Sequence, residues 1–107
     1  MLNSEKMVAS IGNQDLDHAD KYFKKALRED PAEVLVELGQ YLESIGFLPQ
    51  AQEIYEKVRF DFPEVNVNLA QIAAEDGDIE EAFLYLDVIP EESDDYLSAL
   101  IVKADLY

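Results

Sequence analysis

Residues 46–59 read GFLPQAQEIYEKVR, and two other stretches repeat the pattern: QDLDHADKYFKKAL from Gln14 and GDIEEAFLYLDVIP from Gly77. Each opens on a turn residue, has an aliphatic two positions on, and then alanine three positions later. The alanines are Ala19, Ala51 and Ala82, spaced 32 and 31 residues apart. Four residues after each comes Phe23, Tyr55 or Leu86, and three further on comes Ala26, Val58 or Ile89. Steps of three and four gather these positions on one face of a helix. Pro31 and Pro63, each twelve residues after its alanine, are expected to stop that helix, because proline has no N–H to continue it.

A second amphipathic stretch precedes each turn. The run from Pro31 carries Leu35, Leu38, Leu42 and Ile45 at helical spacing, with Gly39 beside Leu38. The run from Pro63 carries Val65, Leu69, Ile72 and Ala73, with Ala70 in the place of Gly39. Small residues at Gly39, Ala70, Ala19, Ala51 and Ala82 let paired helices approach closely. The unit is therefore a helix–turn–helix hairpin, stacked three times.

Composition limits what such a stack does. The 107 residues suit one domain, nearly half of them are apolar, and Gly and Pro are few, so the chain is not a disordered acidic tail. No cysteine is present, which excludes a disulfide framework, a thiolate nucleophile and a cysteine-bound zinc. The first residues, MLNSEKMVASIGNQD, carry no signal-peptide pattern. No run approaches the roughly 20 apolar residues of a membrane span. These features read as a soluble, cytoplasmic protein. Acids outnumber bases 24 to 8, for a formal net charge of −16, and no Lys or Arg occurs between Arg59 and Lys103. That field repels phosphate backbones, which argues against nucleic acid and favours a basic partner segment.

The repeat resembles the tetratricopeptide repeat family. Its signature places an aromatic, then Leu-Gly, then Tyr on a first helix, and Ala, Phe and a closing Pro on a second. The middle unit matches best, with Leu35 in the aromatic place, Leu38-Gly39, Leu42, Ala51, Tyr55 and Pro63. The first keeps Ala19, Phe23, Ala26 and Pro31 but has Lys6-Met7 where Leu-Gly belongs. The third has Leu69-Ala70, Ala82 and Leu86, with Asn66 in the aromatic place and an early Pro90. Other helical-hairpin repeats share this register and stay open as alternatives. The resemblance implies an all-α, right-handed solenoid of antiparallel helix hairpins. Its units fall at about 2–31, 32–63 and 64–93 of a single domain, with a partial fourth at 94–107.

In that fourth unit, Leu100, Ala104 and Tyr107 fall in register, with Lys103 in place of Leu. Tyr96, Leu97, Leu100, Ile101, Val102, Leu106 and Tyr107 cover almost the whole circumference, so this helix needs burial on more than one side. The chain then reads as the N-terminal piece of a longer, bacterial-type array, or residues 96–107 pair with a second copy.

The acidic stretch 75–83, EDGDIEEAF, invites a calcium reading. With Gly77 as the sixth position of an EF-hand loop, the early ligand places fall on Ile72, Ala74 and Asp76, and the last on Phe83. That reading fails. As a turn the stretch is coherent: Gly77 ends one helix in the left-handed conformation, and Asp78 caps the next with Glu81 as a capping box. His18, beside Asp15, Asp17 and Asp20, has no nucleophile near it and reads as a surface residue. Glu91, Glu92, Asp94 and Asp95 read as connection and capping groups. No catalytic, metal or cofactor residues are expected, and the chain does not read as an enzyme.

The family resemblance instead implies function on the concave face of the first helices. Carried over by position, the groove residues are Ser4, Glu5, Val8 and Ile11 in the first unit. The second contributes Glu33, Val36, Glu37, Gln40 and Glu43, and the third Glu64, Val67, Asn68, Gln71 and Glu75. No base stands among them, which disfavours capture of a peptide's C-terminal carboxylate. Gln40, Asn68 and Gln71 suit an extended peptide backbone, and the glutamates attract Lys or Arg. The expected role is a scaffold that binds a protein or peptide segment. The alternative is a structural or oligomerising segment with no ligand of its own.

Overall fold

The computed structural model describes residues 2–106. Among them are seven helices and no strand: α1 (Asn3–Gly12), α2 (Leu16–Glu29), α3 (Ala32–Ser44), α4 (Leu48–Val58), α5 (Val65–Glu75), α6 (Ile79–Asp87) and α7 (Tyr96–Leu106). The first six pack as antiparallel hairpins, α1 on α2, α3 on α4, and α5 on α6. Successive units join through α4 against α5 and α6 against α7, and through direct meetings of α1 with α3 and α5 with α7. The result is an all-α helical-repeat solenoid. Its radius of gyration, 14.5 Å, exceeds the ~13 Å of a rounder domain of this length, and its extents of 40 × 26 × 16 Å describe a slab.

All three intra-hairpin turns share one geometry. Gln14, Gly46 and Gly77 have φ of 62°, 89° and 85°. In each turn the following amide reaches back to a carbonyl five residues earlier: Asp15 to Ser10 at 2.8 Å, Phe47 to Leu42 at 2.8 Å, and Asp78 to Ala73 at 2.9 Å. These are the hydrogen bonds that close a helix through a left-handed residue. The next helix starts at once. Asp15 accepts from the His18 amide and Asp78 from the Glu81 amide, while α4 lacks a side-chain cap and has Pro49 in its first turn, which removes one orphan donor. The capping box expected at Asp78 is only half made. The Asp78 amide is taken by Ala73, and the Glu81 carboxylate instead accepts from Tyr85 Oη at 3.0 Å.

Gln14 alone of the three pays the steric penalty of a Cβ at positive φ. Gln14→Gly is expected to raise stability by about 0.5 kcal/mol, the relief of left-handed strain less the greater freedom of glycine in the unfolded chain. A urea midpoint that stayed put or fell would show that Gln14 rests there without strain.

The core follows the repeat. Ala19, Ala51, Ala82, Phe23, Tyr55, Leu86, Ala26, Val58 and Ile89 are all buried. Opposite them lie Leu35, Leu38, Leu42, Val65, Leu69, Ala70, Ile72 and Ala73, with Met7 from α1. Gly39 lets α4 close in: a Cβ there would stand 2.8 Å from Tyr55 Cε1 and 3.2 Å from Ile54 Cγ2. Asp30 is the C-cap of α2 and Pro31, directly after it, the N-cap of α3. Pro63 behaves differently from expectation. Helix α4 ends at Val58, and the chain turns through 59–62 before the proline, with Phe62 N bonded to Val58 O at 2.9 Å.

Helix α7 also departs from its expected register. Ala99 is its buried residue, and Tyr96, Val102 and Leu106 pack on the core beside it. Ala104 is exposed, as are Leu97, Leu100 and Ile101. With apolar groups all around, the inward face was decided by the partner surface of α5 and α6 rather than by the helix's own pattern. Lys103 Nζ pairs with Asp87 at 2.8 Å and pins α7 to the end of α6. Tyr107 lies outside the described residues.

Candidate functional site

The first helices α1, α3 and α5 carry the groove positions. Glu33, Glu37, Gln40, Glu64, Gln71 and Glu75 are exposed. Val36 and Val67 are half-buried and pack against the core, so they form floor rather than rim. Helices α1 and α3 enclose a cleft of about 380 Å³ lined by Leu2, Ser4, Glu5, Val8, Val34, Glu37, Leu38 and Tyr41. It brings together Ser4, Glu5, Val8 and Glu37 from the expected set, and adds Leu2, Val34, Leu38 and Tyr41, which carry-over by position missed. Leu38 and Tyr41 are one helical turn apart, so their joint presence follows from the period of α3.

Two groove candidates serve a different end. The Glu43 carboxylate is half-buried and accepts from Tyr55 Oη at 2.8 Å and from Asn68 Nδ2 at 3.0 Å, both on Oε1. One carboxylate thus ties α3 to α4 and α5. Burial, and then the bond to Glu43 and its charge, raises the Tyr55 phenol far above its ordinary value, so it stays protonated and donates. Asn68 gives this donor to the tie, which leaves Gln40 and Gln71 as the exposed amides of the groove. The sequence signal for the tie was Tyr55 itself, the one hydroxyl-bearing ring in a register otherwise filled by Phe23 and Leu86.

Ser4 lines the same cleft but is also tied into the fold. It is buried, and the Asp30 carboxylate accepts from its amide at 2.8 Å and its hydroxyl at 2.6 Å, and from Asn3 Nδ2 at 3.2 Å. Leu2 supplies no side-chain cap to α1, so Asp30 caps that helix from across the fold. Burial pushes the Asp30 carboxyl up, but the side-chain and backbone hydrogen bonds of Ser4 and Asn3 outweigh it and hold it below the usual aspartate value.

His18 is exposed, with Nδ1 2.6 Å from Asp15 Oδ2, and forms part of the α2 cap rather than a site. No helix among the described residues is long and apolar enough to cross a membrane.

Comparison with known families matches residues 9–33 to the tetratricopeptide repeat. The match covers the end of α1, all of α2 and the start of α3. It falls on the first hairpin, although the middle one keeps more of the signature residues. No curated protein and no solved structure matches the chain. This family carries no catalytic apparatus of its own, and its repeats mediate contacts between proteins. With the match set beside three stacked hairpins built on Ala19, Ala51 and Ala82, the chain is an all-α helical-repeat solenoid whose first hairpin is similar to the tetratricopeptide repeat.

Proposed function

We propose that this chain is a scaffold that binds a Lys- or Arg-bearing protein segment along its first-helix face. The observation that supports this reading most is the cleft between α1 and α3. Its apolar floor of Val8, Val34 and Leu38 accepts a side chain, while Glu5 and Glu37 stand beside it on exposed positions. Gln40, Gln71, Glu33, Glu64 and Glu75 extend the same acidic and amide surface along α3 and α5. Rim charges of this kind steer and orient a basic partner more than they hold it. The whole chain serves as a single repeat domain in this reading, and no metal or cofactor takes part.

The test is anisotropy with a fluorescein-labelled, Lys/Arg-rich peptide. Glu5→Lys with Glu37→Lys should weaken binding about tenfold at low salt, and the difference should shrink as salt screens it. Equal affinity for both proteins would show that the segment binds elsewhere. Glu43 is a poor probe, since reversing its charge also breaks the bonds to Tyr55 and Asn68.

A second reading is favoured by α7. Leu97, Leu100 and Ile101 form an exposed apolar face, so residues 96–107 would dock a second copy or a further hairpin. Light scattering that finds a strict monomer at micromolar concentration would remove the second copy.

A further inference from the structure

The second helices carry another surface, which the groove does not use. Phe60 is 81% exposed, Leu84 68% and Val88 55%, and all three line one cleft of about 610 Å³ between the end of α4 and α6. Single exposed apolar residues are ordinary, but a contiguous group rimmed by charge marks a contact surface. Glu56 and Glu81 stand on the same cleft. Both reach for one hydroxyl, Tyr85 Oη, at 2.7 and 3.0 Å. A hydroxyl donates one proton, so it serves one carboxylate at a time and leaves the other with an open acceptor. The only base on the cleft, Arg59, lies against the Phe60 and Tyr85 rings, 4.9 and 5.3 Å from their centroids.

An adjoining cleft of about 150 Å³ shares Arg59, Phe60 and Val88 and ends on Pro63 and Asn66. Asn66 occupies the register that Leu35 fills in the middle hairpin, where the family places an aromatic. The smaller side chain leaves that space. Asn66 is 2% exposed, and its Nδ2 donates to Pro63 O at 3.0 Å, which fixes the orientation of the amide. Its Oδ1 has no hydrogen-bond partner. A buried acceptor without a donor is a destabilising vacancy unless something supplies an N–H.

We infer that this outer surface docks a protein segment carrying arginine next to an apolar side chain. The apolar group lies on Phe60, Leu84 and Val88, and the guanidinium donates to whichever of Glu56 and Glu81 Tyr85 leaves open or, once the adjoining cleft opens, to Asn66 Oδ1. Arginine fits better than lysine, because its planar fork presents several donors at once. A second copy of this chain fits poorly: each copy carries a net charge of −16, and no Lys or Arg lies between Arg59 and Lys103.

The probe is a short labelled peptide of alternating Arg and Leu pairs, followed by anisotropy and by amide chemical-shift mapping on the full chain. Phe60→Ser and Leu84→Ser replace exposed side chains and leave the core intact, and together they should weaken binding at least about tenfold. Glu37→Lys, which lines neither of these two clefts, should leave this affinity unchanged. A peptide with Leu replaced by Ser, or Arg by Glu, should bind at least as poorly as the wild-type peptide binds the double variant. Loss of affinity in Glu37→Lys alone would overturn the outer site and support the groove. Unchanged affinity in the Phe60/Leu84 variant, or no binding up to about 1 mM peptide, would overturn it outright and leave the clefts as hydrated surface.

Discussion

Gly39→Val is expected to destabilise the fold by about 3 kcal/mol, at the upper end of what overpacking does. That would lower Tm by roughly 10–20 °C for a domain of this size. The Cβ alone would stand 2.8 Å from Tyr55 Cε1. The Tyr55 ring is fully buried, and its hydroxyl is held by Glu43, so it has no free direction in which to move. Gly39→Ala is the sharper comparison, because two effects oppose. Alanine gains about 1 kcal/mol of helix propensity over glycine, while the clash costs about 1–3 kcal/mol. The expected sum is a modest loss. A rise in Tm for Gly39→Ala would mean that α3 and α4 separate easily and that close approach is not required here. The third hairpin shows the permitted exchange: Ala70 stands in Gly39's register, and the smaller Leu86 stands in Tyr55's.

Asp30→Ala is expected to be nearly as damaging, at about 2 kcal/mol. It removes the acceptor for three donors and leaves the amide and hydroxyl of the buried Ser4 without partners. Asp30→Asn keeps an acceptor but loses the charge, so it should cost less. The pH dependence separates them further. The folded-state pKa of Asp30 is depressed, so its contribution is fully present above the unfolded value of ~3.9 and is lost as pH falls through the folded one. Acidification also relieves the self-repulsion of a chain at −16, so the wild-type profile alone does not report Asp30. The difference in Tm between wild type and Asp30→Asn does. It should be constant from neutral pH down to about pH 5 and narrow below about pH 4. A difference that stays level to pH 2 would show that the Ser4 contacts do not depend on the charge.

The hairpins and their cores were readable because period and spacing report local geometry. Gln14, Gly46 and Gly77 align in the sequence and share a left-handed backbone in the structure, glutamine included. Contacts that join distant segments were not readable. Nothing in the spacing of Asp30 and Ser4 shows that one caps the other's helix. Glu43 looked like any exposed glutamate of α3, and only the fold puts Tyr55 and Asn68 on its carboxylate. In α7 the apolar pattern had no preferred side, so expectation favoured Leu100 and Ala104, where packing chose Ala99. For the candidate site, position on the first helices was legible. Which side chains remain available to a partner depended on which ones the fold had already taken.

The Glu43 tie has a mechanical side. Its carboxylate joins the second hairpin to α5 of the third, and it belongs to the first-helix positions along which a basic segment is proposed to lie. A cation that draws Glu43 away from Asn68 loosens the joint between units, and bending that joint until Asn68 withdraws frees a lone pair for the cation. By linkage the two effects are equal in free energy. At that point of the slab, the loosening that a bound cation brings and the gain in grip that bending brings are therefore the same free energy, carried by one side chain.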